Sequence, residues 1–184
     1  LYTTGDEIDH ISYESAKRSI VLVKNNKNAL PLQRASRVAV VGDIIGSADG
    51  EFIGFYSKLS ESLKMSGITP VGYKAGYKLD DDISEDMITP AVNLTNTADT
   101  VLVFLGLGKQ REEELSQSQR LMLPANQVAL VSSLAKTGKR VIAIICGTRL
   151  PNMGFDTDAH AVLLAPNGGS GVARAIADVL AGRY

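Results

Sequence analysis

Four short runs of the chain are apolar at nearly every position. They are RVAVVG at 37–42, TVLVFLG at 100–106, RVIAIICG at 140–147 and AHAVLLAP at 159–166. Each run is rich in aliphatic and β-branched residues and ends at glycine or proline, which is the pattern of a strand buried on both faces. The segment TPVGYKA at 69–75 is a weaker strand candidate. The pattern therefore predicts four buried strands and a weaker fifth one.

Amphipathic helices are predicted between these runs, because apolar residues recur there at intervals of three and four. The first helix is predicted to begin at Ser12, a residue type that caps helices. The apolar positions of the predicted helices are, in chain order, Tyr13, Ala16, Ile20 and Val23; Phe52, Phe55, Tyr56, Leu59 and Leu63; Val128, Val131, Leu134 and Ala135; and Val172, Ile176 and Val179.

This alternation predicts an α/β fold with a mostly parallel sheet of about five to six strands, sandwiched between helices on both faces. We assign residues 1–32 to a linker arm with a helix and residues 33–184 to the α/β sandwich domain. In such sheets, ligands bind beyond the carboxyl ends of the strands. The loops that begin there start at Asp43, Leu107, Thr148 and Asn167.

Composition narrows the function classes. The 184 residues are 45% hydrophobic and 21% charged, with a net charge of -1, so neither a nucleic acid nor an anionic membrane surface is indicated as a partner. Cys146 is the only cysteine and lies in an apolar run, which excludes a disulfide within the chain. No apolar run approaches the roughly 20 residues of a membrane helix. No signal peptide is visible, so the location stays open with the cytoplasm slightly favoured.

Familiar ligand motifs fit these loops poorly. GDIIGSADG after the first clear strand has the wrong spacing for a dinucleotide site, and GLGKQ is not a phosphate-binding loop. The serine of GGSG lacks convincing triad partners. His10 and His160 are far apart in the chain, so they form no metal-ligand cluster. We therefore predict neither a metal nor an organic cofactor.

Three glutamates, Glu112 to Glu114, follow the strand that ends at Gly106. Charge statistics favour an ordinary solvated loop. The alternative is that one carboxyl group acts as a general acid on a ligand, its pKa raised by burial or by a neighbouring carboxylate. Composition alone leaves both interpretations open.

The order of several segments resembles the second domain of glycoside hydrolase family 3. These segments are SIVLVKN followed by LPL, RVAVVG, ADTVLVFLG, LMLPANQVALVSSLAKTGKRVIAIICG and AIADVLAGRY. The resemblance extends from about Ser15 to Tyr184. It implies a six-stranded α/β sandwich that closes over a preceding TIM-type barrel. That barrel carries an aspartate nucleophile and is absent from this chain, and a final edge strand of the sandwich could be missing as well.

The resemblance also implies site residues. Many β-glucosidases of the family carry an acid/base glutamate ten residues before the proline of an LxLP element, and counting back from Pro124 gives Glu114. Glu113 is the fallback if the loop is offset by one residue. Further candidates for contacts at the substrate rim are Arg120, together with Asp43 and Asn167 from the loops at the carboxyl ends of the strands.

The function implied is completion of the active site of a retaining β-glycosidase that acts on a β-linked glycoside. Two alternatives stay open: an auxiliary, non-catalytic domain of a β-N-acetylhexosaminidase, and a stand-alone α/β module that binds a small metabolite. If the chain completes the active site of a β-glycosidase, the barrel is its main partner. This chain alone is expected to be inactive, and it could form a homodimer through apolar surface meant for the barrel.

Overall fold

The computed structural model describes residues 5–46, 54–79, 82–107, 122–147, 149–152 and 158–184. The described α-helices are α1 (Gly5–Ser19), α2 (Phe55–Met65), α3 (Glu85–Leu94), α4 (Ala125–Ala135) and α5 (Ser170–Leu180). The strands are β1 (Val21–Asn25), β2 (Arg37–Val41), β3 (Thr69–Lys74), β4 (Thr100–Gly106), β5 (Arg140–Cys146) and β6 (Ala161–Ala165). None of the helices described is long and apolar enough to cross a bilayer.

The strands form a six-stranded sheet in the order β1-β6-β5-β4-β2-β3. β2, β3, β4, β5 and β6 are parallel, and β1 pairs antiparallel with β6. From β2 the chain runs outward to β3 and then returns to place β4 on the other side of β2. The direction of winding therefore reverses between β2 and β4, and in open α/β sheets the ligand crevice lies at such a point, beyond the carboxyl ends of the strands.

Two hydrophobic layers cover the two faces of the sheet. Successive strand residues point to opposite faces, so Val38 and Val40 of β2 belong to one layer, whereas Ala39 and Val41 belong to the other. The first layer contains the apolar faces of α1, α2 and α5, and the second contains those of α3 and α4. The predicted fold class, a mostly parallel sheet between two helical layers, is confirmed.

The predicted course of the first helix is wrong. α1 begins before Ser12 and ends at Ser19, whereas Val23 lies in β1. Spacings of three and four continue by chance into the apolar run from Ile20 to Val23, and β-branched residues favour a strand there. β1 pairs with β6 and α1 packs on α5, so residues assigned to a linker arm contribute to the sandwich. The boundary at residue 32 stays a prediction.

Candidate functional site

The carboxyl ends of the parallel strands form one edge of the sheet, which we call the carboxyl rim. Its described residues follow β2 at Gly42, β3 at 75–79, β4 at Leu107, β5 at Gly147 and β6 at Pro166. Backbone bonds continue the sheet a little beyond the strands: Gly42 N donates to Lys74 O at 3.1 Å, and Gly147 N donates to Ala165 O at 2.9 Å. The rim is therefore an ordered platform from which the loops depart.

Two glycines allow the backbones to approach closely at this rim. Gly42 has φ 143° and Gly106 has φ 155°, values that L side chains rarely adopt. A Cβ atom at Gly42 would overlap the carbonyl oxygen of Phe104, and a Cβ atom at Gly106 would overlap that of Cys146. Any other residue at either position would push neighbouring strand ends apart.

Tyr77 joins the ends of β2 and β4 from inside the protein. Its ring is 2% exposed, and its hydroxyl donates to Phe104 O at 3.0 Å and accepts from Ile44 N at 3.4 Å. Burial raises the pKa of Tyr77 well above its usual value. A phenol held in this way stays protonated near neutral pH, so it is suited to fixing the rim and not to transferring protons.

Asp43, the first residue of the loop after β2, is tied to the neighbouring loop. Its carboxylate accepts a hydrogen bond from Leu79 N at 3.1 Å. Beside it, the Tyr73 hydroxyl donates to Gly42 O at 3.0 Å, and burial, followed by the charge of Asp43, raises the pKa of Tyr73 to about 12. The loops after β2 and β3 therefore hold each other in place at the point where the winding reverses.

Gln127 and Asn126, at the start of α4, fasten that helix to the rim. The Gln127 side chain is fully buried; it accepts from Gly106 N at 2.9 Å and donates to Gly106 O at 2.7 Å. The Asn126 amide donates to Lys78 O at 2.8 Å. Pro124 precedes them as the residue at the helix N-terminus. Residues 107–124, which contain Glu112 to Glu114, connect β4 to α4. The strand before this segment and the helix after it are thus bonded to each other.

The predicted site residues divide into two groups. Glu114, Glu113 and Arg120 lie outside the described residues. Asp43 and Asn167 lie at the carboxyl rim, directly beyond β2 and β6, at positions expected for substrate contacts. Within the described part of the chain, the two candidates follow strands that are separated by β4 and β5 in the sheet. Their roles toward a substrate stay predictions.

The two histidines lie on different elements of the fold. His10 is exposed on α1, and His160 precedes β6 in a polar cleft of about 370 Å³ at the amino-terminal edge of the sheet. The Nδ1 atom of His160 accepts a hydrogen bond from Val141 N at 3.2 Å. Burial, together with the Lys27 and Arg140 cations, lowers the pKa of His160. No metal-binding group of three acidic, histidine or cysteine side chains occurs among the described residues.

Two residues that hold the rim together, Tyr77 and Gln127, were not predicted from the sequence. Gln127 carried a usable signal: it precedes Leu130, Val131 and Leu134 at helical spacing, so it falls on the buried face of α4. A polar side chain at a core position needs hydrogen-bond partners. For Tyr77, the partners Phe104 and Ile44 are distant in sequence, so no local pattern could have revealed them.

Comparison with known proteins places the chain in a family. Residues 20–184 match the model of the glycosyl hydrolase family 3 C-terminal domain. The chain is 27% identical to the thermostable β-glucosidase B of Acetivibrio thermocellus, covering 96% of this chain and 25% of that protein. It is 29% identical to the periplasmic β-glucosidase of Salmonella typhimurium, covering 93% of this chain and 26% of that protein.

A solved structure shares the fold. The family 3 β-glucosidase of Bifidobacterium adolescentis superposes with a TM-score of 0.81 at 24% identity, covering 99% of this chain and 28% of that one. The chain thus spans about a quarter of the length of each of these relatives. Since the family model matches nearly the whole described sandwich, the chain belongs to the C-terminal domain family of the family 3 glycosyl hydrolases.

Proposed function

We propose that this domain completes the active site of a retaining β-glycosidase that acts on β-glucosides, and that Glu114 supplies the general acid/base. The nucleophile, in this proposal, belongs to a barrel joined to the chain. The barrel supplies one carboxyl group and this domain supplies the other, so the cleft forms between the two domains. The names of two relatives, both β-glucosidases, support glucosides as the substrate class.

One observation carries the proposal: the segment that contains Glu114 begins at the point of reversed winding in the sheet. It follows β4, whose neighbour β2 ends at Val41 and is followed by Gly42 and Asp43. Loops at this position border the crevice in which open α/β sheets bind ligands. Glu114 is eight residues beyond Gly106. Because an extended chain spans roughly 3.3 Å per residue, that length of chain is sufficient to reach from the rim to an opposing domain.

The chemistry asked of Glu114 is a double proton transfer. Retaining glycosidases hold two carboxyl groups about 5–5.5 Å apart: one attacks the anomeric carbon and the other protonates the departing oxygen. In the second step the same carboxylate removes a proton from the water that hydrolyses the glycosyl-enzyme intermediate. Neither step requires a metal ion or an organic cofactor. The acid must be protonated near neutral pH, and the adjacent Glu112 and Glu113 carboxylates would raise its pKa in a closed cleft.

The test compares Glu114→Gln with the parent in the full-length protein that contains this chain. The substrates are two aryl β-glucosides, one with a good leaving group and one with a poor leaving group. Loss of a general acid costs about 10²–10⁴-fold in rate where acid help is needed. We expect a loss of that size in kcat/KM on the poor leaving group, and a much smaller loss on the good one, which departs without a proton.

Glu113→Gln is the matched control, since it removes the same charge from the neighbouring position. If Glu113→Gln shows the difference between substrates and Glu114→Gln does not, the acid is Glu113 and the loop is offset by one. If neither variant shows it, the proton donor is neither Glu114 nor Glu113. Faster hydrolysis of aryl N-acetyl-β-glucosaminides than of glucosides by the parent would then favour an auxiliary domain of a β-N-acetylhexosaminidase.

A further inference from the structure

The polar cleft at the amino-terminal edge of the sheet lies opposite the carboxyl rim, and the proposed function makes no use of it. It opens where β4, β5 and β6 begin and where the antiparallel β1 ends. Its volume of about 370 Å³ is at the lower end of the range for small-molecule sites. The charged and titratable side chains that line it are Lys27, Asp99, Arg140 and His160.

Backbone hydrogen bonds hold the parts of the chain around the cleft in place. Asn26 N donates to His160 O at 2.8 Å, and His160 N donates to Val141 O at 2.8 Å. Arg140 N donates to Asp99 O at 3.4 Å. Four separate parts of the chain are thus joined around the cleft, so its side chains extend from fixed backbone positions.

Lys27 has a backbone conformation that lysine seldom adopts. Ala29 N donates to Asn26 O at 3.1 Å, which closes a four-residue turn. The two central residues, Lys27 and Asn28, have φ 51° and 52°. Turns with two positive φ values prefer asparagine and glycine at these positions. Because strained backbone of this kind clusters at ligand sites, the position supports a role for the Lys27 ammonium group in the cleft.

His160 supplies a hydrogen-bond donor. Its Nδ1 atom accepts from Val141 N at 3.2 Å, so the neutral ring carries its proton on Nε2. Nε2 has no hydrogen-bond partner within the described part of the chain. Burial, followed by the charges of Lys27, Arg140 and Lys24, lowers the pKa of His160. The ring therefore lies in a positive field and is mainly neutral near pH 7.

The positive charge of the cleft is only partly neutralised. Neither the Lys27 ammonium group nor the Arg140 guanidinium group forms an ion pair with any residue that the structure describes. The Asp99 carboxylate also lines the cleft, and one of its oxygens accepts from Arg37 N at 3.1 Å. Two cations against one carboxylate leave one net positive charge, in a chain whose net charge is -1.

We propose that this cleft binds a phosphate group, either as free phosphate or as a small phosphate ester. Arg140 supplies the planar fork that suits phosphate, Lys27 supplies a point charge, and His160 supplies the Nε2 donor. A carboxylate presents only two oxygens, whereas donors from three separate elements match the several oxygens of a phosphate group. Asp99 offers an acceptor for a hydroxyl group of an ester. This inference does not depend on the proposed function.

Isothermal titration calorimetry on the full-length protein that contains this chain tests the site. The ligands are inorganic phosphate and glycerol 3-phosphate, with the ionic strength held constant by chloride. Arg140→Gln and Lys27→Gln each remove one cation, and both side chains are exposed, so the fold should be retained. His160→Asn keeps an acceptor in the place of Nδ1 for the bond from Val141 N and removes the Nε2 donor.

Lys64→Gln is the matched control for charge. Lys64 is exposed on α2 and does not line the cleft, so its replacement removes one positive charge from elsewhere on the domain. A change in binding that depends on the net charge alone would be the same in Lys64→Gln and Arg140→Gln.

We expect the parent to bind at least one of the two ligands with a Kd of about 1 mM or tighter. Arg140→Gln should raise that Kd at least about tenfold, because it removes charge-assisted hydrogen bonds. Lys27→Gln and His160→Asn should each raise it about threefold or more, and Lys64→Gln should leave it unchanged. Tighter binding of glycerol 3-phosphate identifies an ester as the ligand, and tighter binding of inorganic phosphate identifies free phosphate.

Three results would overturn the proposal. The first is an absence of saturable binding of either ligand at concentrations about tenfold above that Kd. The second is binding that all three cleft variants leave unchanged, since the ligand then lies elsewhere on the protein. The third is an equal loss of affinity in Lys64→Gln and Arg140→Gln. None of these results bears on Glu114, so the proposed function stands or fails separately.

Discussion

Replacement of Tyr77 by phenylalanine should destabilise the protein by removing the hydroxyl that joins β2 and β4. The ring is 2% exposed, and its hydroxyl makes bonds of 3.0 Å to Phe104 O and 3.4 Å to Ile44 N. A buried hydrogen bond contributes about 1 kcal/mol, and leaving a buried partner unsatisfied costs about 1–3 kcal/mol. The second bond is long and therefore weak. We expect Tyr77→Phe to lower the free energy of unfolding by about 2 kcal/mol.

Urea denaturation, followed by circular dichroism, measures this loss. With a slope of about 2 kcal/mol per molar urea, a loss of about 2 kcal/mol lowers the midpoint by about 1 M. Tyr73→Phe is the matched control, since its hydroxyl makes a single 3.0 Å bond to Gly42 O in a half-buried site. It should cost about 1 kcal/mol. A Tyr77 variant as stable as the parent, or more stable than the Tyr73 variant, would refute the inference that Tyr77 holds the rim together.

Three further predictions follow from the rim. Gly42→Ala should lower the free energy of unfolding, measured by thermal denaturation, by more than about 2 kcal/mol, because the added Cβ atom overlaps Phe104 O. Gly54→Ala is the control: Gly54 has φ 68° but open space around it, so the loss should be only about 1 kcal/mol. Equal costs would contradict the steric argument. The Cys146 thiol is buried, which raises its pKa to about 12, so a thiol reagent should label it only in denaturant; rapid labelling of the native protein would contradict that burial. Because the pKa of Tyr73 is about 12 in the folded protein and 10.0 in its ordinary state, the free energy of unfolding should fall as the pH rises from about 10 to about 12, and less so in Tyr73→Phe. An identical alkaline dependence in the variant would show that Tyr73 does not cause it.

Local sequence pattern was sufficient for most of the sheet. The strands β2, β4, β5 and β6 each read as an apolar run closed by glycine or proline, since a strand covered on both faces has no polar side. β1 was not predicted, because VLVKN continues the apolar spacing of the preceding helix. Its partner strand is also distant in the sequence: Asn25 of β1 pairs with Ala161 of β6, 136 residues later. Only tertiary pairing decides between helix and strand for such a short run.

The location of the candidate site could be predicted from the sequence, but the hydrogen bonds that hold it together could not. Parallel strands with known carboxyl ends place Asp43 and Asn167 at the rim. The bond from Leu79 N to Asp43, however, joins residues 36 positions apart, and the bonds between Gln127 and Gly106 join residues 21 positions apart. Such contacts follow from packing: helical periodicity places Gln127 on a buried face, but it does not identify Gly106 as the partner. The choice of Glu114 came from the family resemblance, since composition alone leaves open whether any of the three glutamates has a role beyond surface charge.

Azide rescue of a Glu114→Gly variant of the full-length protein tests the proton-donor assignment most directly. A β-glucoside with a good leaving group forms the glycosyl-enzyme intermediate without acid help, but without a base at position 114 water then attacks slowly. Azide is a nucleophile that needs no base. We predict that azide accelerates turnover of the variant and not of the parent, with β-glucosyl azide as the product. The matched control is Glu113→Gly. If azide neither accelerates turnover of Glu114→Gly nor gives glucosyl azide with it, Glu114 is not the acid/base, whether or not azide rescues Glu113→Gly.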